Sequence, residues 1–128
     1  MYQIHHVRAS DILETTVEGA LDFDRTQAAL EAIAMANAET GYDILIDLRH
    51  AEDAGISFPD VYRLVQGLST HPEAFRGRVA LLDRYRDGFE KVQFFEAAAT
   101  EKGYRVLAFV DFEAAVRWLR DAAQVPTD

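Results

Sequence analysis

A chain of 128 residues with 13 lysines and arginines against 22 aspartates and glutamates carries a formal charge of −9. That sign opposes the counterion release behind nucleic-acid binding and the attraction of basic surfaces for anionic membranes, so neither partner is expected. With 49% hydrophobic residues and no cysteine, the composition is that of a globular domain, and disulfides, thiolate metal sites and cysteine nucleophiles are excluded.

Residues 1–128 read as a single domain, because no composition break, repeat or low-complexity tract divides them. The opening Met1-Tyr2-Gln3-Ile4-His5-His6 lacks the apolar run of a signal peptide, and no stretch approaches the roughly 20 apolar residues of a spanning helix. A soluble, cytoplasmic chain without integral membrane association is therefore expected. Little anchors the last residues, Pro126 to Asp128.

Two strand-like runs come first, Tyr2 to Arg8 and Ile12 to Glu18, joined by Ala9-Ser10-Asp11. In the second, Leu13, Thr15 and Val17 alternate with glutamates and a threonine, as in a half-buried strand, and the short polar link predicts an antiparallel hairpin ended by Gly19. A helix follows from Asp24, read as its cap, to Glu39, with Leu30, Ile33, Ala34 and Asn37 on adjoining positions and Gly41 closing it. Ile44-Leu45-Ile46-Asp47-Leu48 is apolar on both faces except for Asp47, the pattern of a strand inside a covered parallel sheet.

Ser57 is expected to cap the next helix, with Asp60 as its partner acid, Pro59 in the first turn and a buried stripe of Phe58, Val61, Leu64, Val65 and Leu68. Val79 to Leu82 is a further buried strand, Asp83 to Gly88 a polar loop, and Phe89 to Lys102 a helix ending at Gly103. Val106 to Val110 is the last strand, and Asp111 caps the last helix. The result is an α/β fold: a mixed, mostly parallel sheet of about five strands with about four helices on its faces. Ligands of such sheets sit outside the carboxyl ends of the strands, which singles out 49–56, 83–88 and the Val110–Asp111 junction.

No phosphate loop, dinucleotide fingerprint, zinc-helix motif or nucleophile elbow occurs. Adjacent strand residues point to opposite faces, so His5 and His6 cannot chelate one metal, and neither a metal nor a cofactor is expected. Asp47, near a strand's carboxyl end, is either satisfied locally or faces the crevice, where Asp83 one strand over could join it as a coupled pair. Arg84 and Arg86 form either a solvated loop or a pair of guanidinium forks for a phosphate or carboxylate. Ser57 is first a cap and secondly a site where an added phosphate would meet free helix amides; Tyr62 borders that helix. Phe89, Phe94 and Phe95 broaden the apolar face of their helix, through core packing, a partner surface or an apolar pocket beneath it.

Three segments carry a family resemblance: Ile12 to Val17 leading into Glu18-Gly19; Ile44-Leu45-Ile46-Asp47-Leu48-Arg49; and Phe109-Val110-Asp111-Phe112-Glu113-Ala114-Ala115-Val116-Arg117-Trp118-Leu119. Together they resemble the STAS superfamily and, within it, the SpoIIAA-like group related to the bacterial anti-sigma-factor antagonists. The resemblance implies a small non-enzymatic α/β domain, regulatory or interacting, that binds a protein partner or a small-molecule ligand. It implies no cofactor and leaves a homodimer open. It also places Ser57 where the antagonists are phosphorylated, although Ala54-Gly55-Ile56-Ser57 stands in place of the family's Asp-Ser-Ser-Gly or Asp-Ser-Thr-Gly turn. CRAL-TRIO domains of the wider fold bind apolar ligands, which gives the alternative of a carrier or sensor with an apolar or lipid-like guest under residues 89–102. On the first reading the binding edge comprises Arg49 to Ser57 and Asp83 to Arg86, and the candidate binding residues are Asp47, Arg49, Ser57, Tyr62, Asp83, Arg84 and Arg86. An enzyme using Asp47 and Asp83 is the third and weakest reading.

Overall fold

The computed structural model describes residues 2–124 and the side chains up to residue 121; the expectation for 126–128 lies outside this range. Strand β1 (Gln3–Ala9) turns through Ser10 and Asp11, both at positive φ, into β2 (Ile12–Leu21). Helix α1 (Phe23–Asn37), β3 (Asp43–Asp53), α2 (Phe58–Gly67) and a short 3-10 turn (Leu68–Thr70) follow. Strand β4 (Arg78–Leu82), α3 (Phe89–Glu101), β5 (Arg105–Phe109) and α4 (Phe112–Gln124) complete the order.

The five strands lie in chain order, β1-β2-β3-β4-β5. The first pair is antiparallel and every later pair parallel. Because each crossover steps the same way along the sheet, a common right-handed sense puts α1, α2 and α3 on one face. Leu13, Val17, Ile44, Ile46, Val79 and Leu81 point to that face and form the main core with Ile33, Val65 and Ala99. The intervening Leu45, Ala80 and Leu82 point the other way and are covered by Ala115 and Leu119 of α4.

Two strands run further than expected. Gly19, at φ 104°, ends the pairing with β1 but not the strand. After an irregularity between Thr16 and Glu18, β2 continues to Leu21 beside His50–Asp53 of β3. Since β4 pairs only with Ile44–Asp47, this stretch projects past the rest of the sheet. Residues 49–53, expected in a loop, are therefore a paired ribbon.

Helix α1 begins earlier than expected. Asp22, not Asp24, is its cap, with an extended backbone and a carboxylate that accepts the Arg25 amide at 2.8 Å. It ends at Asn37 rather than Glu39. Ser57 does cap α2: its hydroxyl accepts the Asp60 amide and the Asp60 carboxylate accepts the Ser57 amide, both at 3.1 Å. Those bonds hold the Asp60 carboxyl below the usual range. Ser57→Ala removes the acceptor and should cost about 1 kcal/mol, read as a lower urea midpoint at unchanged slope. An unchanged midpoint would show that water replaces the cap at no cost. Phe58 departs from the expected buried stripe: it is 41% exposed and meets Phe94 edge-on at 5.4 Å.

Candidate functional site

Between the sheet and helices α1, α2 and α3 lies a cavity of about 290 Å3. Its walls are aliphatic: Val17 and Leu21 of β2, Ala29, Leu30 and Ile33 of α1, Ile46 of β3, Val61 and Leu64 of α2, Leu81 of β4. Phe95 of α3 adds an aromatic wall. The polar lining gathers at the carboxyl ends of β3 and β4, where Glu52, Asp53, Asp83, Arg86, Asp87 and Lys91 form a rim. Crevices of parallel sheets lie at this end.

The ribbon and the 83–88 loop frame the mouth, and Arg86 ties them together. Its guanidinium donates to the Ala51 carbonyl at 2.6 Å and the Leu48 carbonyl at 3.3 Å, and reaches the Asp83 carboxylate at 3.0 Å. Lys91 performs the same service beside it, pairing with Asp53 at 2.6 Å and donating to the Ile56 carbonyl. The other Asp53 oxygen accepts the Gly55 and Ile56 amides at 3.0 Å. Burial pushes the Asp53 carboxyl up, but Lys91 and the two amides outweigh it and hold it below the usual value. Gly88 opens α3 at φ 97°, a left-handed cap that would strain any residue with a Cβ.

Asp83 is 5% exposed and lines the cavity. Burial pushes its carboxyl above the usual carboxylate value, against the opposing pull of the Arg84 amide and the Arg86 and Arg84 charges. Asp47 behaves oppositely. Burial raises it too, but bonds from the Arg49 side chain at 2.8 and 3.0 Å and from the Arg49 amide at 3.0 Å carry it below the usual value.

The structure does not bring these two acids together. Asp47 pairs in register with Leu82 and so shares its α4 face, whereas Asp83, the next residue, points to the cavity face. The coupled pair considered from the sequence is absent. Arg49 stays with Asp47 on the α4 side, 5.7 Å from the Phe112 ring. Arg84 reaches Glu52 at 3.1 Å, outside the lining. Ser57 lies at an exposed helix start, and Tyr62 faces outward under the Lys102 ammonium at 5.2 Å. Of the three phenylalanines, Phe95 lines the cavity, Phe94 lies at the surface, and Phe89 is buried against Tyr85 instead.

Sequence reasoning missed Lys91, and it pointed to the 49–56 stretch without assigning a role to Glu52, Asp53 or Ile56. Glu52 and Asp53 read as loop acids; the signal available for Asp53 was the glycine two residues on, the signature of a side chain bonded to its own turn.

The architecture matches solved structures over nearly the whole chain. An anti-sigma factor antagonist from Mycobacterium paratuberculosis aligns at 14% identity and TM-score 0.67, covering 94% of this chain and 96% of that one. An uncharacterised protein of the DUF3478 family with a SpoIIAA-like fold, from Shewanella loihica PV-4, aligns at 22% identity and TM-score 0.57, covering 92% and 93%. The fold is SpoIIAA-like. No family model matches the sequence, and no curated protein matches it. No helix among the described residues of this SpoIIAA-like chain is long and apolar enough to cross a membrane.

Proposed function

We propose that this SpoIIAA-like chain is a non-enzymatic binding module whose cavity takes an apolar small molecule at the carboxyl end of the sheet. The observation that carries this reading is the largely apolar cavity of about 290 Å3 with its charged groups confined to one rim. That space is roughly twice the ~150 Å3 engineered cavity that stays dry and holds benzene. It suits two fused rings or a medium-length chain and lies near the lower bound for small-ligand pockets. The acid pair that an enzyme reading would use is not formed, since Asp47 and Asp83 lie on opposite faces of the sheet.

The anti-sigma factor antagonist with the same fold favours a second reading, in which the exposed edge around Ser57 meets a protein partner. A phosphate switch at Ser57 fits the local bonding poorly. The Asp60 amide is already donated to the serine hydroxyl, the Asp60 carboxylate lies against the cap, and Asp53 occupies the amides of Gly55 and Ile56. An added dianion would meet carboxylates before free donors. The partner reading therefore rests on the surface itself, without the switch.

Native mass spectrometry of gently purified protein should show a retained small molecule. Titration with naphthalene should shift the methyl resonances of Leu30, Ile33, Ile46 and Leu81 and leave those on the α4 face in place. A clean apo mass together with unmoved cavity methyls at naphthalene saturation would overturn the cavity reading and leave the edge around Ser57 as the functional surface.

A further inference from the structure

Resting on the cavity reading above, we propose that the guest carries a cationic hydrogen-bond donor, a primary ammonium on an apolar body, and that the Asp83 carboxylate receives it. Asp83 is the buried acid of the lining. Its Oδ1 takes the Arg84 amide at 2.7 Å and Arg86 at 3.0 Å, while Oδ2 takes no hydrogen bond from the described residues. A carboxylate oxygen that takes no donor at the wall of an apolar cavity is an open acceptor, and a charged donor fills it best.

The other groups at the mouth weigh against the opposite choice. A carboxylate or phosphate head needs cationic donors, and both rim cations already face carboxylates and carbonyls. Arg86 is engaged by the Leu48 and Ala51 carbonyls, by Asp83, and by Glu52 at 3.5 Å. Lys91 is engaged by Asp53 and the Ile56 carbonyl. The acids of the lining, Glu52, Asp53, Asp83 and Asp87, outnumber Arg86 and Lys91, and Arg84 offsets only Glu52. A chain of charge −9 adds a field that repels anions and draws cations toward this mouth. The upward displacement of the Asp83 titration has the same origin: the two arginines do not make up for what burial removes, and an incoming ammonium would.

Three probes with one chain and different heads test this by calorimetry at neutral pH: octylamine, 1-octanol and octanoate. Octylamine should bind at least about tenfold tighter than octanoate, with octanol between them. Octanoate binding as tightly as octylamine, or tighter, would overturn the assignment of the head while leaving the cavity reading intact. No binding by any of the three would remove the cavity reading and this inference with it. In Asp83→Asn, octylamine should lose about tenfold while octanol changes by less than about threefold. An equal loss for both probes, or none for octylamine, would overturn the role of Asp83. The comparison among probes on the unmodified chain is decisive even if this variant folds poorly.

Discussion

An Ala29→Leu variant should lose binding of naphthalene and 1-octanol by about a hundredfold or more and melt at the same or a higher temperature. Ala29 lies on the cavity wall, 4% exposed, in the middle of α1. Leucine keeps the helix propensity of the site and places its extra carbons in space a guest would otherwise fill. Filling an apolar void restores dispersion contacts that its lining lacks, and such changes commonly add about 0.5–2 kcal/mol. Ala34 on the same helix provides the contrast. It is 0% exposed in the same core yet absent from the cavity lining. Ala34→Leu should therefore overpack and cost about 1–3 kcal/mol. Thermal melts and calorimetry of both variants check the pair. Destabilisation by Ala29→Leu with binding retained would mean that Ala29 is already closely packed and that the guest sits elsewhere.

The largest loss of stability is expected at Asn37, where α1 ends. The residue is 0% exposed and all four of its side-chain bonds are made. Its amide donates to the Ala74 carbonyl at 2.7 Å and the Tyr42 carbonyl at 2.9 Å, and its oxygen accepts the Thr40 hydroxyl at 2.9 Å and the Tyr42 amide at 3.1 Å. One side chain thus fixes the turn into β3 and pins the segment before β4. Asn37→Leu matches the volume but strands those groups, and at about 1–3 kcal/mol each for the buried ones it should cost about 3–5 kcal/mol in a urea titration. Asn37→Asp keeps the oxygen and aims a second, anionic oxygen at two carbonyls, so its loss should be at least as large at neutral pH. A cost below about 1 kcal/mol for the leucine variant would mean that the freed carbonyls find water.

The sheet and its helices were legible because their signals are local. The alternation of Leu13, Thr15 and Val17, the unbroken run at 44–46 and the Ser57–Asp60 box each imply one structure whatever surrounds them. The ribbon at 49–53 was not legible, since Arg49-His50-Ala51-Glu52-Asp53 has the composition of a loop and becomes a strand only because β2 overruns beside it. The site was half legible. Asp83 and Arg86 stood out as a polar cluster at the correct end of the sheet, but the split between Asp47 and Asp83 depends on register and on where β4 stops. The cavity left one faint mark in the sequence, the aromatic breadth of α3 that Phe95 carries into its wall. Leu30, Ile33 and Ile46 have the pattern of core residues, and what distinguishes them is the contact they do not make.

The strict succession of strands across the sheet has a kinetic consequence. Each parallel pairing closes a single crossover, so no strand waits for one made much later, and the entropy of loop closure is met in small steps. During synthesis the sheet can grow from its N-terminal hairpin as the chain emerges, one docking surface at a time. Only the second face, with Leu45 and Leu82 bare, must wait for α4. An arrested chain ending at residue 110 should accordingly be compact but sticky, and the arrival of α4 should be the event that ends its association with holding chaperones.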